Sequence, residues 1–175
     1  FLSKNGLKLV KIFITHGHLD HAGGAHELSK EHDVIIEGPH LEDEFLVSGL
    51  EQQGKMYGVP NAKNFTPNRW LDEGDQIEFD GILFDVYHCP GHTPGHVIFH
   101  QSEAKIALVG DVLFNGSIGR TDLPRGSMQS LIDSIKSKLW KLDDETTFIP
   151  GHGPISTFGH EKRTNPYVAE QLFYK

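Results

Sequence analysis

Short apolar runs alternate with polar and glycine-bearing segments over the first sixty residues of the chain. The run at residues 9–14 is rich in β-branched and aromatic side chains, which predicts a buried strand with neighbours on both sides. A helix is expected at residues 22–30, and a second short strand at residues 33–37 ends at a Gly-Pro pair. Residues 40–58 have apolar positions at helical spacing. They predict a helical segment that either covers a functional site or packs on the flank.

From Trp70 onwards the pattern changes to shorter strands and turns. Strands are predicted at residues 76–79, 82–88, 96–100, 105–109 and 146–149. The first four follow one another through short polar turns, which is typical of an antiparallel meander. A loop at residues 111–127 precedes an amphipathic helix at 128–141, and a last helix at 159–174 is expected to be interrupted near Pro166. No repeat or linker divides the chain, so residues 1–175 are predicted to form one domain.

Composition excludes several classes of function. A net charge of -8 disfavours a nucleic-acid partner, and no apolar stretch approaches the roughly 20 residues that a membrane span needs. The single Cys89 excludes an intrachain disulfide framework and fits a reducing compartment, so we expect a cytoplasmic protein. The chain starts at Phe1 without a Met or a signal-peptide pattern, so either processing removed a start or the sequence is an excerpt.

Metal-binding side chains are concentrated directly after the first predicted strand. His16, His18, Asp20 and His21 lie within six residues, in a chain that has 12 His. Loops at the carboxyl ends of strands bind ligands in open α/β folds. Two imidazoles at i and i+2 can close on one ion, while the following carboxylate and imidazole turn toward a second. Without further ligands from distant segments, the cluster would equally fit a surface loop with several histidines.

Three later motifs, each at the end of a predicted strand, supply those ligands. Residues 89–96, 109–111 and 149–154 each place a His or Asp among glycines and prolines, which fix irregular backbone close to a ligand. One ion would be held by three imidazoles, the second by a carboxylate and two imidazoles, with one carboxylate bridging both. The predicted ligands are, in that order, His16, His18 and His92, then Asp20, His21 and His152, and the bridging Asp111.

Nitrogen and carboxylate ligands without cysteine favour two divalent ions, Zn²⁺ first and Fe or Mn as alternatives, in an open catalytic site. A water molecule between two such ions loses a proton near neutral pH and becomes the nucleophile. The protein would therefore need no nucleophilic Ser or Cys. Asp20 and Asp111 are the predicted catalytic carboxylates of this mechanism.

The ligand motifs resemble those of the metallo-β-lactamase-fold hydrolases. Residues 90–96 resemble the glyoxalase II branch, and residues 116–124 and 148–154 are similar to short, single-domain glyoxalase II-like bacterial proteins of the YcbL type. The resemblance covers nearly all of the chain. It implies an α/β fold, a four-layer αββα sandwich with a dinuclear site at one edge. It also implies hydrolysis of a small-molecule thioester such as S-lactoylglutathione to a hydroxy acid and a free thiol.

The chain departs from this family in two ways. Family members begin with strands and an Asp-Pro-Gly loop that have no counterpart here, so we expect the N-terminal strands to be missing from this chain and one sheet to be incomplete. The two-domain glyoxalase II enzymes also have a C-terminal helical domain that helps to bind glutathione. A glutathione-derived substrate is therefore expected by analogy alone.

For residues outside the ligand set, the sequence gives weaker indications of a functional role. Arg120 and Arg125 could hold a substrate carboxylate, although a structural salt bridge to Asp122 is an equal alternative for this loop. Tyr57, with the neighbouring Met56, is a candidate for substrate contact. Histidines that flank the site could also orient the ligands by accepting or donating hydrogen bonds. The flanking histidines are His88 and His96.

Two other functions stay open at this point. A mononuclear iron dioxygenase, like the persulfide dioxygenases of the same fold, could use His16, His92 and Asp111. This would leave the other three predicted ligands without a metal. A non-catalytic metal-binding domain is the second alternative.

Overall fold

The computed structural model describes residues 2–170. Its strands are β1 (Ile12–Phe13), β2 (Ile36–Glu37), β3 (Gln76–Phe79), β4 (Ile82–His88), β5 (Val97–Gln101), β6 (Ile106–Gly110), β7 (Leu113–Phe114), β8 (Ser117–Ile118), β9 (Thr147–Pro150) and β10 (Ser156–Thr157). Its α-helices are α1 (Leu19–Ala22), α2 (Ala25–His32), α3 (Glu44–Val47), α4 (Leu50–Tyr57), α5 (Met128–Ser137) and α6 (Phe158–Thr164). Short 3₁₀ turns occupy Ser3–Asn5, Leu41–Asp43 and Leu139–Lys141.

The main sheet has six strands in the order β10-β9-β6-β5-β4-β3. Strands β3 to β6 form the predicted antiparallel meander, while β9 pairs in parallel with β6. β3 and β4 have the predicted bounds, and β5 and β6 lie one residue later. Asp80 and Gly81, which join β3 to β4, both have positive φ (51° and 79°), as an Asp-Gly hairpin turn requires. β4, β6 and β9 therefore run in one direction and end at the same edge.

One face of the main sheet is covered by helices near the C-terminus. Leu131 and Ile135 of α5 and Phe158 of α6 are fully buried in one cluster with Ile98 of β5 and Phe148 of β9. The apolar stripe of α5 thus packs on the sheet, as its amphipathic pattern predicted. α5 itself ends at Ser137, and a 3₁₀ turn replaces the last predicted turn of the helix.

The other face of the main sheet packs against a small sheet that consists of β1 and β2. Phe13 of β1 meets Phe99 of β5, with ring centroids 5.9 Å apart. Beyond the small sheet, Ala22, Val47 and Leu50 of the helices α1, α3 and α4 are buried against Ile14. Helices, main sheet, small sheet and helices follow one another, which confirms the expected αββα architecture.

The strand predicted over residues 9–14 is present, but the prediction of its length and burial was wrong. Only Ile12–Phe13 are in strand conformation, Val10 is 46% exposed, and Ile14 alone in this run is fully buried. In the described part of the chain, β1 pairs with β2 and with no other strand. A strand with one partner lacks half of its ladder hydrogen bonds, so the apolar run forms only two residues of regular pairing.

Other boundaries shift for local reasons. Gly23 and Gly24 divide the helix predicted at 22–30 into α1 and α2. The helical segment at 40–58 is confirmed, as a 3₁₀ turn followed by α3 and α4. α6 ends at Thr164 because Asn165, which precedes a proline, is extended (ψ 122°). The rest of the helix predicted at 159–174 is absent up to residue 170, and residues 171–174 lie outside the described residues.

Two small strand pairings are not predicted from the sequence. Strands β7 and β8 form a hairpin inside the predicted loop 111–127, and β10 extends the main sheet next to β9. Each of these strands has two residues, which is too short for a periodic pattern to show. Within residues 2–170, no helix combines the length and the apolar character that crossing a membrane requires.

Candidate metal centre

The structure brings the seven predicted ligands together. Four loops carry them, three of which follow the ends of β4, β6 and β9 at one edge of the main sheet. The fourth loop, after β1, is tied to this edge because Val97 of β5 donates its N–H to the carbonyl of Thr15 (2.8 Å). Distant segments of the chain therefore meet through the topology of the sheet.

The first group consists of three imidazoles. His16, His18 and His92 offer nitrogen atoms that all lie within 4.8 Å of one another. His18 Nδ1 is 2.9 Å from His92 Nε2. His16 is 0% exposed and His92 is 3% exposed, whereas His18 is partly buried, so two of the three imidazoles lie inside the protein.

The second group lies nearer to solvent. Asp20 Oδ2 is 3.1 Å from His152 Nε2 and 3.4 Å from His21 Nε2, and the two imidazole nitrogens are 3.2 Å apart. The side chains of Asp20 and His152 are 60% and 56% exposed. A carboxylate and two imidazoles thus face one point at the surface of the site.

Asp111 lies between the two groups. Its Oδ2 is 3.5 Å from His92 Nε2 and 3.6 Å from His152 Nε2, while its Oδ1 is 3.5 Å from His21 Nε2. One carboxylate therefore reaches ligands of both groups. This is the position that a bridging ligand between two ions needs.

Neighbouring groups orient the buried ligands. The Nδ1–H of His92 donates to the carbonyl of Arg120 (2.7 Å), so its Nε2 lone pair faces the cluster. His96 stacks on His16 (4.5 Å between centroids), and its Nε2 accepts the backbone N–H of Asp111 (3.0 Å). This agrees with the expected support from His96. The imidazole of His88 instead contacts the Pro94 carbonyl and the ring of His40, away from the ligands.

Asp43 belongs to the site although the sequence did not predict it. Its carboxylate is fully buried and accepts hydrogen bonds from Gly17 N (2.8 Å), Thr93 Oγ1 (2.8 Å) and Gly95 N (2.6 Å). Gly17 lies between His16 and His18, and Thr93 follows His92. Asp43 thus ties together the two loops that supply the buried imidazoles. It is one of several acidic residues in a polar segment, so no sequence pattern marks it.

Close packing around Asp43 explains the glycines of these loops. A Cβ on Gly95 would lie 2.5 Å from the backbone nitrogen of Asp43, and a Cβ on Gly17 would lie 2.7 Å from Leu46 Cβ. Any larger residue at either position would push the 3₁₀ turn and α3 away from the metal-binding loops.

Burial sets the protonation of the inner ligands. Desolvation lowers the pKa of His18 to about 4, and it also lowers the pKa of His16 and His92. These imidazoles are therefore neutral at pH 7, with lone pairs free to bind a metal. Burial raises the pKa of the Asp111 carboxyl, against the attraction of the histidines around it.

The residues present fit divalent cations. His16 Nε2 and Asp111 Oδ1 are buried and have no hydrogen-bond partner. Buried polar atoms are almost always paired, so two unpaired acceptors aimed into one cluster of neutral imidazoles and carboxylates indicate a place for positive charge. The nitrogen and oxygen donor set suits Zn²⁺, Fe or Mn.

A cavity of about 1350 Å³ opens beside the cluster, and Met56, Tyr57 and Arg120 line it. Arg120 is bound to Asp122 through two hydrogen bonds of 2.7 Å, and it lowers the pKa of Asp122 to about 2. This is the structural salt bridge that the sequence left as an alternative. Arg125 stacks on Phe45 (4.3 Å to the ring centroid) and does not line the cavity.

Comparison with known proteins places this geometry in a family. The family model described as the metallo-beta-lactamase superfamily matches residues 1–152. Hydroxyacylglutathione hydrolase GloC of Haemophilus influenzae is 47% identical over 163 residues, which cover 93% of this chain and 77% of that protein.

Similar solved structures agree with this family. TTHA1623 in a di-iron-bound form has a TM-score of 0.85 and 39% identity, over 95% of this chain and 81% of that chain. ETHE1 from Myxococcus xanthus has a TM-score of 0.76 and 26% identity, over 95% of this chain and 66% of that chain. From the family match, these similarities and the αββα fold, we conclude that the chain belongs to the metallo-beta-lactamase superfamily.

Proposed function

We propose that this protein is a dinuclear metal-dependent hydrolase that cleaves a small-molecule thioester of the hydroxyacylglutathione type. The observation that carries the proposal is the arrangement of two ligand groups around one shared carboxylate, Asp111. The identity of 47% with a hydroxyacylglutathione hydrolase supports the choice of substrate class.

In this proposal the inner group would hold one ion, the outer group would hold the other, and Asp111 would be a ligand of both. The ligands are His16, His18 and His92 for the first ion and Asp20, His21 and His152 for the second. Such a pair of ions, when bound, would polarise a substrate carbonyl and lower the pKa of a water molecule. Zn²⁺ is our first expectation, and Fe is supported by the di-iron form of TTHA1623.

The protein's own groups have distinct tasks in this reaction. The hydrogen bond from His92 Nδ1 to the Arg120 carbonyl holds the imidazole in one tautomer, so that no proton reaches the ligand nitrogen. The Asp20 carboxylate is 60% exposed at the mouth of the site, where its second oxygen, which is not the one facing His21 and His152, could accept a proton and pass it to solvent. The expected cytoplasmic location stays a prediction.

Metal analysis combined with a substrate panel tests the proposal. The metal content of the pure protein is measured first, and the same preparation is assayed with S-lactoylglutathione, a phosphodiester and a β-lactam, with and without chelator. We expect about two ions per chain and chelator-sensitive cleavage of the thioester alone. A preparation that holds two ions and cleaves no thioester would refute the assignment. Saturation at one ion would refute the dinuclear mechanism.

The dioxygenase alternative is tested in the same preparation. An oxygen electrode with glutathione persulfide as substrate would show oxygen uptake if the protein were a mononuclear iron enzyme. We expect no uptake, because Asp20, His21 and His152 converge to within 3.4 Å and would have no ion to bind in that mechanism. If the metal-loaded protein showed no turnover in either assay, the remaining hypothesis would be a non-catalytic metal-binding domain.

A further inference from the structure

The cavity beside the metal cluster extends well beyond the ligands as an apolar groove. At one end it is lined by His18, Asp20, His92, Asp111 and His152. Away from these ligands its lining is dominated by apolar side chains, several of them on or near α4. They include Leu19, Phe45, Leu46, Met56, Tyr57 and Leu123.

The charges along the groove do not match a glutathione group. Its charged lining residues are Asp20, Glu27, Asp111 and Arg120, and two of these four belong to the metal cluster. Within the described residues, Arg120 is the one lysine or arginine that lines the groove. Its guanidinium forms an ion pair with the Asp122 carboxylate through two hydrogen bonds, which neutralises its charge. The carboxylates of a glutathione group lying in the groove would therefore meet Glu27, and the cation that lines the groove, Arg120, is already paired.

We propose that this groove binds the acyl part of the thioester and selects acyl groups with an extended aliphatic or aromatic chain. The inference rests on the proposed thioester hydrolase function, since it places the scissile carbonyl at the cluster. The acyl chain then runs along α4, and the polar thiol part leaves toward solvent on the side of the exposed Asp20 and His152. A lactoyl group would leave most of the roughly 1350 Å³ groove unfilled.

Apolar burial gives the expected size of the effect. Each methylene that is fully transferred from water to an apolar wall strengthens binding by about fourfold. A chain that lies against exposed residues such as Met56 and Tyr57 gains less for each carbon, because part of it stays in water. We therefore expect a cumulative gain of about tenfold or more between a three-carbon and an eight-carbon acyl group.

Binding of the product acids to the metal-loaded protein tests the groove directly. Affinities of lactate, 2-hydroxybutyrate, 2-hydroxyhexanoate and 2-hydroxyoctanoate are measured by calorimetry, with no turnover required. We expect the affinity to rise steadily with chain length. An affinity that does not change from lactate to 2-hydroxyoctanoate would overturn the proposal, because it would mean that the chain stays in water.

A pair of matched variants locates the effect. Met56→Asp places a carboxylate in the groove, and Leu83→Asp makes the same change on β4, outside the groove. Both side chains are exposed, at 69% and 52%, so both variants should fold. We expect Met56→Asp to remove most of the gain with chain length and Leu83→Asp to retain it. Equal behaviour of the two variants would contradict the assigned position of the chain.

Hydrolysis of the glutathione thioesters of the same four acids separates this inference from the function on which it rests. If kcat/KM rises with chain length, both proposals are supported. If the thioesters are cleaved at rates that do not depend on chain length, the groove assignment fails and the hydrolase assignment stands. If no thioester is cleaved while the acid affinities still rise, the hydrolase assignment fails and the groove remains a binding site for apolar acids.

Discussion

The two halves of the metal centre differ in how the protein holds them. In the inner half, His16 and His92 are buried and His18 is partly buried, and the loops of this half are fixed by Asp43 and by the Arg120 carbonyl. The outer half has two ligands that are more than half exposed, Asp20 and His152, and the hydrogen bonds and ion pairs described for them join them to other ligands. The inner half therefore lies mostly in the protein core, and the outer half lies near the surface.

This difference has consequences for binding and catalysis. Donors that are locked by surrounding hydrogen bonds lose little freedom when they bind an ion, so the inner half should bind its metal more tightly. Donors at the rim can move, which leaves room for a substrate to enter the coordination sphere from the groove. The contrast predicts that substitutions in the two halves will have separable effects.

Removal of the carboxylate that joins the halves should have the largest effect. Asp111→Ala deletes the group that lies 3.5 Å from His92 Nε2 and 3.6 Å from His152 Nε2. Loss of a group that merely orients a metal ligand lowers metal affinity or activity by about 10- to 100-fold. Loss of this ligand should therefore lower kcat/KM for a thioester by more than about a hundredfold and weaken the binding of both ions. Assays at saturating metal, with the metal content measured in parallel, check this. Near-normal turnover would show that Asp111 does not bridge the halves.

Substitution of Asp43 should weaken metal binding by the inner half and leave metal binding by the outer half unchanged. Asp43→Asn puts an amide NH₂ group against backbone N–H donors, and we expect the affinity for the more tightly bound ion to fall by about 10- to 100-fold. Unpaired buried donors would also destabilise the fold by about 1–3 kcal/mol. Stepwise metal titration and thermal unfolding measure the two effects.

Glu161 provides a matched control for this variant. Its carboxylate is also fully buried and accepts three hydrogen bonds, from Gly116 N, Ser156 Oγ and Asn165 Nδ2. Glu161→Gln should therefore cost a similar amount of stability while both metal affinities stay unchanged. If the two variants lost metal equally, the effect of Asp43 would be a general consequence of destabilisation.

A third pair of variants compares one ligand from each half. His152→Ala removes an exposed side chain, so the folding stability of the metal-free protein should change by less than about 0.5 kcal/mol and one ion should be lost. His92→Ala leaves a cavity at a site that is 3% exposed and should cost on the order of 2 kcal/mol in addition to an ion. Metal analysis and chemical denaturation of both variants decide the matter. Equal stability losses would mean that the inner half is no more embedded than the outer one.

The sequence predicted the metal ligands better than the residues that hold the ligand loops in place. All seven ligands follow strand ends and lie among glycines and prolines, so a local pattern marked each of them. Asp43 has no such pattern, because its partners are 26, 50 and 52 residues away and only the fold brings them to it. The hairpin β7–β8 was missed because pairs of two-residue strands have no period. The strand at residues 9–14 was predicted too long because an apolar run does not show how many partner strands it has.

The last expected effect concerns the pH dependence of the metal-free protein. Burial lowers the pKa of His18 from 6.5 to about 4. Between these values the unfolded chain binds a proton that the folded chain does not, so stability falls as the pH falls through this window. The slope for one histidine is at most about 1.4 kcal/mol per pH unit. Burial raises the pKa of Asp111, which acts in the opposite direction, so variants are needed to isolate the histidine.

Denaturation of chelator-treated protein at pH 7, 6 and 5 measures this slope in the parent and in His18→Gln, which cannot be protonated in this range. The variant should lose less stability on acidification than the parent, because one buried group that resists protonation has been removed. His160→Gln, at an exposed position on α6, controls for the substitution itself. If His18→Gln had the full slope of the parent, His18 would not be held neutral by burial, and the contrast between an embedded and an open half would lose its electrostatic basis.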